Sequence, residues 1–337
     1  MRRSYKALPM DESVAAALGA LVPDNPFATT AYLTARRRAG WDPWALVMMD
    51  GEGRIQGGCG AFVATRGPFR KLEIPSLPAE PLESLFWDVL RDLCDRQAVT
   101  KLELATFHSP DGVEIPRLGT CTYRTRCEFI LDLEGDLYAR LSNRHRANIK
   151  RAEEAGLVVR ATHSADAVEV HQTLIGRSMD RRRSRGEDVP AVESSLDAIT
   201  LLECGAGELY QALAGDAVLS SALVLRAPLG AYGHSTGTSP EGMKVGASHY
   251  LIHTVSELLR EDGVPTLNFG AAEEGSGLAR YKRDFGTRMR CLPSATCYAG
   301  PQGRRRAYQV MESMRDQRRA LIRWLKERAA RPINGRG

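Results

Sequence analysis

The segment GLARYKRDFG, residues 277 to 286, places several cations and two aromatic rings in one short amphipathic turn behind a glycine-rich loop. Its charged and aromatic members are Arg280, Tyr281, Lys282, Arg283, Asp284 and Phe285. A fixed ammonium can stabilise negative charge that develops on an oxygen atom during a reaction. The structural alternative is that the stem of Lys282 covers the core. For Phe285 we favour the core-filling role.

Cysteine and histidine, the other residue types that carry chemistry, give weak signals. The seven cysteines are odd in number and scattered, without a C-x-x-C spacing, which favours buried free thiols over a disulfide framework or a structural zinc site. His249 and His253 lie four residues apart on a predicted helix, but Tyr250 stands where a zinc protease would carry Glu. The sequence therefore predicts no metal site.

The positive charge is concentrated at the C-terminal end. Residues 301–337 hold eleven Lys and Arg against three acidic residues, which leaves 35 basic and 38 acidic residues in the rest of the chain. The apolar spacing predicts an amphipathic helix with a cationic face. Such a face is either solvated or contacts a phosphate backbone. Arg315, Arg319 and Arg323 are the candidate RNA-binding residues on it.

Length and composition predict two domains in a soluble, cytoplasmic protein. The chain has 337 residues, of which 43% are hydrophobic and 26% charged. No apolar run is long enough to cross a bilayer, and the N-terminal residues lack the apolar stretch of a secretory signal. We expect no membrane insertion.

The order of predicted elements occurs twice along the chain. The second half predicts β-α-α-β-β-β-α-β-α-β, with a strand at 157–163, helices over 164–182 and 191–204, three strand-like runs, a helix over 241–262, a strand at 265–270, a short helix over 276–284 and a last strand. The first half repeats this order more loosely. We therefore predict an α/β fold in which a mixed sheet flanked by helices is duplicated.

A connecting helix is predicted between the halves, from Asp136 as N-cap to Gly156 after its end. Arg140 and Arg144 lie near one face of this helix and are either solvated or bind an anion such as RNA. The predicted organisation is an N-terminal domain at 1–135, the connecting helix at 136–156, a C-terminal domain at 157–300 and a basic helix with a tail at 301–337.

Three segments carry a resemblance to the GNAT acyltransferase superfamily in its duplicated, Fem-like form, with its "acetyltransferase 6" relatives. They are LSNRHRANIKRAEEAGLVV at 141–159, the stretch from STGTSPEGMKVGA to PTLNFGA at 235–271, and GSGLARYKRDFG at 275–286. The resemblance implies tandem GNAT-like domains with a basic C-terminal helix. It also implies transfer of an acyl group to an amine, and no cofactor beyond the donor substrate.

In Fem-type enzymes the dipeptide that matches Tyr281 and Lys282 is thought to meet the end of a charged tRNA. The resemblance thus implies that Lys282 stabilises the oxyanion and that Tyr281, together with Arg280, binds the donor; an aromatic ring there can stack on adenine. His234, on the strand that lines a GNAT cleft, is the candidate general base, and a core histidine is the alternative.

The competing donor is acyl-CoA. GNAT enzymes bind its pyrophosphate with a Q/R-x-x-G-x-G/A loop at a helix start, and the matching stretch here is EGMKVGA. Glu241 and Lys244 depart from that pattern, while Gly246 and Ala247 keep it, and Lys244 can itself bind a phosphate. These departures favour aminoacyl-tRNA as co-substrate and leave acyl-CoA as the alternative.

The acceptor is predicted to be a small-molecule or peptide amine. The segment RSMDRRRSRGEDVP carries Arg181, Arg183 and Arg185, which together with Ser235 are the candidate acceptor-binding residues. A solvated loop is the alternative use of these arginines. A third hypothesis is a non-catalytic tandem GNAT module that binds RNA or a partner protein through its basic helix.

Overall fold

The computed structural model describes residues 4–78, 84–118, 120–186 and 195–329. In its first half, a strand and two helices precede a three-stranded meander, a helix and two further strands. These are β1 (Ser4–Pro9), α1 (Glu12–Leu21), α2 (Thr30–Arg38), β2 (Asp42–Met49), β3 (Ile55–Arg66), β4 (Phe69–Ile74), α3 (Ser84–Arg96), β5 (Lys101–Leu104) and β6 (Cys121–Asp132). A short 3₁₀ turn at Pro26–Ala28 precedes α2.

The second half repeats this order after two connecting helices. Its elements are α4 (Leu137–Arg140), α5 (Asn143–Glu154), β7 (Val158–Thr162), α6 (Ala165–Ser184), α7 (Ser195–Glu203), β8 (Gly207–Ala214), β9 (Ala217–Ala227), β10 (Gly230–Thr238), α8 (Pro240–Lys244), α9 (Ala247–Glu261), β11 (Thr266–Ala272), α10 (Gly277–Arg283), β12 (Arg288–Tyr298) and α11 (Gln302–Ala329). The predicted duplicated α/β fold is confirmed, since in each half an antiparallel meander ends on a strand that pairs in parallel with the strand after the next long helix.

All twelve strands form one sheet, in which the last strand of each half has changed places. The order is β1-β2-β3-β4-β5-β12-β6-β11-β10-β9-β8-β7. The final strand of the chain, β12, therefore pairs with β5 of the first half, and β6 lies between β12 and β11 of the second half. The two halves are joined through this exchange as well as through packing.

Helices cover both faces of the sheet. On one face α1, α2, α6 and α7 enclose a core that draws on both halves, including Phe62 from β3 and Leu223 from β9. On the other face α3 covers the strands of the first half, and α9 covers those of the second half, where Leu251 and Val255 are fully buried. These apolar stripes recur at helical spacing, which is why the sequence predicted the helices.

The predicted connecting helix is two helices rather than one. Asp136 caps α4 by accepting the Ala139 N–H at 3.0 Å, and Gly156 has a φ of +67° beyond α5, as the sequence predicted. Between them the chain leaves the helical conformation at Ser142, whose hydroxyl accepts the His145 N–H and starts α5. A capping serine inside an otherwise helical pattern is the physical reason for the break.

The prediction that the cysteines are free thiols is wrong for four of the seven. Because β6 and β12 are neighbours, their register brings the cysteines face to face, with Cα atoms 4.1 and 3.9 Å apart. The two disulfides are Cys121–Cys297 and Cys127–Cys291. Cys59, Cys94 and Cys204 are free.

Among the described residues, no helix combines the length and the apolar character needed to span a bilayer.

Candidate active site

A gap opens in the second half of the sheet between β10 and β11. These parallel strands pair only at Ala231 with Leu267 and at Tyr232 with Asn268. Immediately afterwards the register of β10 against β9 shifts at His234, and the register of β11 against β6 shifts before Ala271. The ladder bonds between the two strands end at this point, and we call this interruption of the pairing the gap. The backbones remain close where Gly233 faces Phe269 and Gly270.

The equivalent place in the first half is closed. There β4 and β5 continue to bond beyond their ends, with the Ala105 N–H donating to the Ile74 carbonyl at 2.9 Å and the Phe107 N–H to the Pro75 carbonyl at 2.8 Å. The Ser109 hydroxyl then accepts the Leu77 N–H at 2.9 Å. Because these bonds continue the pairing of β4 with β5, the gap of the second half is the one that we take as the candidate active site.

Lys282 lies at the open gap, with its charge buried. The side chain is 8% exposed, and Nζ donates to the carbonyls of Phe269, Gly270 and Ala271 at 2.6, 2.9 and 2.9 Å. All three N–H donors of the ammonium are therefore used by backbone of β11. The burial of Lys282 fits the structural alternative predicted for its stem, and the three bonds hold the ammonium at the gap.

Burial and nearby charges shift the pKa of Lys282. Burial, together with the charges of Arg126 and Arg182, lowers the pKa of Lys282 to about 7, and Glu128 opposes this shift. The charge of Lys282 therefore depends on the buried groups around it. His234, the predicted base, is half-buried at the register shift of β10, the strand that lies across the gap from β11.

Sequence reasoning missed a buried polar network beside Lys282. The carboxylate of Glu128, on β6, is fully buried and accepts from the amide of Asn268 at 2.7 Å and from the His108 N–H at 3.1 Å. It also pairs with Arg126 at 3.2 Å and receives the Tyr232 hydroxyl at 3.3 Å. The available signal was the alternation in RTRCEFIL, which places Arg126 and Glu128 on one face of a strand that enters the core.

A cavity of about 540 Å³ lies on the other side of α10. It is lined by Arg144, Ala147, Asn148, Arg151, Met243, Ser248, His249 and Tyr281. The Tyr281 hydroxyl donates to the Ser248 carbonyl at 3.2 Å, and His145 Nε2 lies 3.0 Å from the Tyr281 carbonyl. These contacts fasten α10 to α9 and α5, so the residue that precedes Lys282 in the chain forms part of the cavity wall.

The histidines at this cavity are held neutral. Burial, reinforced by His145 and the arginines, lowers the pKa of His249 to about 4. Burial likewise lowers the pKa of His145, and Asp284 opposes that shift. At neutral pH the cavity therefore combines a cationic wall, formed by Arg144 and Arg151, with neutral aromatic rings.

The loop before α9 is covered by α5. Gly246 has a φ of +76°, and a Cβ there would come within 2.3 Å of the Asn148 carbonyl oxygen. Ala247 is fully buried, and the Lys244 carbonyl accepts from Arg151 at 3.2 Å while the Lys244 side chain is exposed. The predicted donor-binding residues Gly246 and Ala247 thus face protein, and Gly246 is required for close packing.

The predicted acceptor residues are engaged mainly with the fold. The Ser235 hydroxyl lies 2.8 Å from Nε2 of the fully buried His171, and Arg181 donates to the Thr238 carbonyl at 2.7 Å. Arg183 pairs with Asp180, and Arg185 is exposed at the end of α6. Arg182, in the same segment, is the arginine of α6 whose charge acts on Lys282.

The predicted RNA-binding and remaining donor-binding residues are dispersed. Arg140 donates to the carbonyls of Asp132 and Glu134, so it ties down the chain before α4, whereas Arg144 lines the cavity. Arg280 is exposed on α10. The side chains of Arg315, Arg319 and Arg323, all on α11, lie outside the described residues.

The fold and this gap define a tandem GNAT-like protein, and comparison with known proteins places the GNAT domain in the chain. Residues 139–283 match the family model described as an acetyltransferase (GNAT) domain, so the second half carries a domain of the acyltransferase type. This domain contains the open gap and Lys282. The resemblance to GNAT acyltransferases predicted from the sequence is thereby confirmed for residues 139–283.

Solved structures of similar fold cover nearly the whole chain. The chain matches FemX with a TM-score of 0.61 and 13% identity over 91% of this chain and 100% of FemX. It also matches a tandem GNAT protein from the clavulanic acid biosynthesis pathway with a TM-score of 0.53 and 16% identity over 89% of this chain and 100% of that protein. A third match is L-PGS from Bacillus licheniformis, with a TM-score of 0.51 and 11% identity over 86% of this chain and 92% of that protein. At these identities the likeness is one of fold. No curated protein matches the sequence.

Proposed function

We propose that this protein is an acyltransferase that moves an aminoacyl group from a charged tRNA to an amine, with the reaction at the gap between β10 and β11. The observation that carries the proposal is the sequence adjacency of Tyr281 and Lys282, which places a cationic, aromatic cavity on one side of α10 and a buried ammonium on the other. The phosphates and terminal base of an RNA 3′ end suit such a cavity. The ester carbonyl would then lie at the gap.

The proposed reaction requires the protein to position the two substrates and to stabilise the negative charge that develops on the carbonyl oxygen. The neutral acceptor amine attacks the ester carbonyl, so a C–N bond forms, the ester C–O bond breaks, and the ribose oxygen leaves with the proton that the amine gives up. In our proposal the developing oxyanion replaces one of the three carbonyls now bound to Lys282, and His234 takes the proton from the attacking amine and passes it to the leaving ribose oxygen. A fixed ammonium favours the transition state because it needs little reorganisation.

Two observations favour tRNA over acyl-CoA as donor. The loop before α9, where GNAT enzymes hold the CoA pyrophosphate, is covered here by the backbone of α5 at Asn148. Glu241 also places an exposed carboxylate in the first turn of α8, where it repels phosphate. The open cationic surface at Arg144 and Arg151 lies beside this loop, with Met243 and Ser248 also in the cavity wall.

In this proposal the acceptor and the body of the RNA bind at surfaces other than the cavity. We assign the acceptor to the α6 side of the gap, where Arg181, Arg182, Arg183 and Arg185 favour an anionic amine. The basic helix α11 is anchored to the sheet by the buried ring of Tyr308 and by the pair between Glu312 and Lys101. The sequence that follows Glu312 is rich in arginine, which suits a phosphate backbone.

The test is competition binding followed by transfer. A fluorescent acceptor-stem RNA that carries a non-hydrolysable aminoacyl amide is displaced by its uncharged counterpart and by CoA. We expect the charged end to bind about tenfold tighter than the uncharged end and CoA not to compete. Displacement by CoA, or CoA binding without probe binding, would show an acyl-CoA enzyme. Probe binding that depends steeply on salt, without preference for the aminoacyl end or transfer, would show a non-catalytic RNA-binding module.

A matched pair of variants on α5 locates the RNA end. Arg151→Gln removes a charge from the cavity, whereas Lys150→Gln removes one from the next position, which is exposed and 3.9 Å from Glu154. Because charged contacts to phosphate are worth about 1.5–3 kcal/mol, Arg151→Gln is expected to weaken binding of the charged probe about tenfold or more. Equal losses for both variants would remove the cavity from the proposal.

A further inference from the structure

Glu128 is a costly residue to bury and is held from several directions. Its carboxylate has no exposure and meets Asn268, His108, Tyr232 and Arg126 within 3.3 Å. His108, which comes from the loop after β5, has a φ of +54°, a left-handed conformation that only a minority of non-glycine residues adopt. Strained backbone around a buried charge is typical of functional sites, because packing alone is better served by apolar residues.

A short chain of bonds leads from Glu128 to Lys282. The amide of Asn268 donates to Glu128 at 2.7 Å, and its carbonyl oxygen accepts the Gly270 N–H at 2.9 Å. Gly270 has a φ of +70° and lies at the register shift of β11. The carbonyls of residues 269 to 271 in this turn are the three acceptors of the Lys282 ammonium.

We propose that Glu128 is a positioning residue for Lys282, acting through Asn268 and the turn of β11. This inference rests on the proposed acyl transfer at Lys282. Glu128 orients the amide of Asn268, the oriented amide fixes the Gly270 turn, and the turn presents its carbonyls so that the ammonium stays at the gap. The carboxylate comes from the first half of the chain, so the strand exchange places it in the working site of the second half.

This arrangement requires an amide rather than a carboxylate at position 268. An amide offers a donor to Glu128 and an acceptor to Gly270 at once, whereas an aspartate would offer only acceptors and would set two carboxylates about 2.7 Å apart. The substitution Asn268→Asp is therefore expected to disrupt the turn. Combining it with Glu128→Gln restores one carboxylate and one amide, so part of the loss should return.

The pKa of Lys282 gives a readout that is independent of transfer activity. The charged groups that act on the Lys282 ammonium are Arg126 and Glu128 from β6 and Arg182 from α6, and Arg290 of β12 lies 3.9 Å from Glu128. Because Glu128 raises the pKa of Lys282, Glu128→Gln should lower it. Arg126→Gln removes a charge that lowers this pKa and should raise it.

The experiment titrates Lys282 by NMR in protein with labelled lysine side chains and measures transfer on the same variants. The Lys282 signal is assigned by its loss in Lys282→Arg. We expect Glu128→Gln to move the titration midpoint down and Arg126→Gln to move it up. Glu128→Gln and Asn268→Asp should each lower kcat about tenfold or more with KM for the donor changed less, and the double variant should recover part of the loss.

Glu73→Gln is the control for general damage to a buried ion pair. Glu73 lies on β4 and pairs with Arg36 and Lys71 far from the gap. An unchanged Lys282 midpoint in Glu128→Gln, or a loss of activity that only follows the loss of stability seen in Glu73→Gln, would overturn the inference. If the wild-type protein transfers no aminoacyl group, the proposed function fails, while a Lys282 midpoint that shifts in Asn268→Asp and moves back in the double variant would still support positioning of Lys282 by Glu128.

Discussion

Lys282 combines a structural role in the turn of β11 with the role that we propose for it in the reaction. Its three hydrogen bonds to carbonyls of β11 hold the turn together, and burial brings the pKa of its ammonium to about 7. A charged group near its midpoint responds strongly to a nearby developing charge, because little solvent competes for it. Substitution at this residue therefore has to be judged on stability, binding and transfer separately.

We expect Lys282→Ala to lower transfer about 100-fold or more while binding of the charged RNA end changes less than about threefold. The matched control is Arg283→Gln, which removes the next charge on α10, a side chain that is exposed. Single-turnover transfer and probe binding are measured on both variants, with thermal unfolding to confirm that they fold. A loss in binding as large as the loss in transfer would exclude a catalytic role for Lys282.

The residues of the site were predictable only in part. Lys282, Tyr281 and His234 carried a motif or a strand position that a known family shares, and the structure places them at the gap and the cavity. Glu128 and His108 carried no such motif, because their importance arises from burial against β11 after the strand exchange. A single sequence contains no record of which distant strands become neighbours.

At the scale of elements, the most informative junction is the start of α9. The predicted helix over 241–262 is broken there into α8 and α9 by Gly246, whose left-handed conformation lets the backbone of α5 approach. Helices and strands elsewhere follow their apolar periodicity and were predictable, except β1. Breaks such as those at Gly246 and Ser142 depend on tertiary contacts and caps, which periodicity does not register.

A pair of glycine substitutions separates conformation from contact at this junction. Gly246 and Gly263, at the two ends of α9, have φ values of +76° and +78°, but a Cβ would clash with the Asn148 carbonyl only at Gly246. We expect Gly263→Ala to lower the free energy of unfolding by about 1 kcal/mol and Gly246→Ala by about 3 kcal/mol or more. Urea unfolding measures both, and equal losses would contradict the close approach of α5.

At the scale of the whole molecule, the exchange of β6 and β12 makes the two halves interdependent. We predict that a chain divided in the loop at Gly135 yields fragments 1–134 and 135–337 that associate stably in reductant, because β6 pairs with both β11 and β12. Co-purification and circular dichroism test this. A first fragment shortened to residues 1–120, without β6, is the control and should not associate; fragments that fold alone and stay apart would contradict the prediction.

The same exchange has a consequence for synthesis on the ribosome. The free edges of β5 and β6 both pair with β12, and β12 (Arg288–Tyr298) is the last of the strands to leave the ribosome. Until then the nascent first half carries unpaired strand edges that invite pairing with other chains. Folding yield should therefore depend on how quickly the final strand follows the rest. Ribosomes that stall between β11 and β12 would leave a sheet that is nearly complete and prone to aggregation.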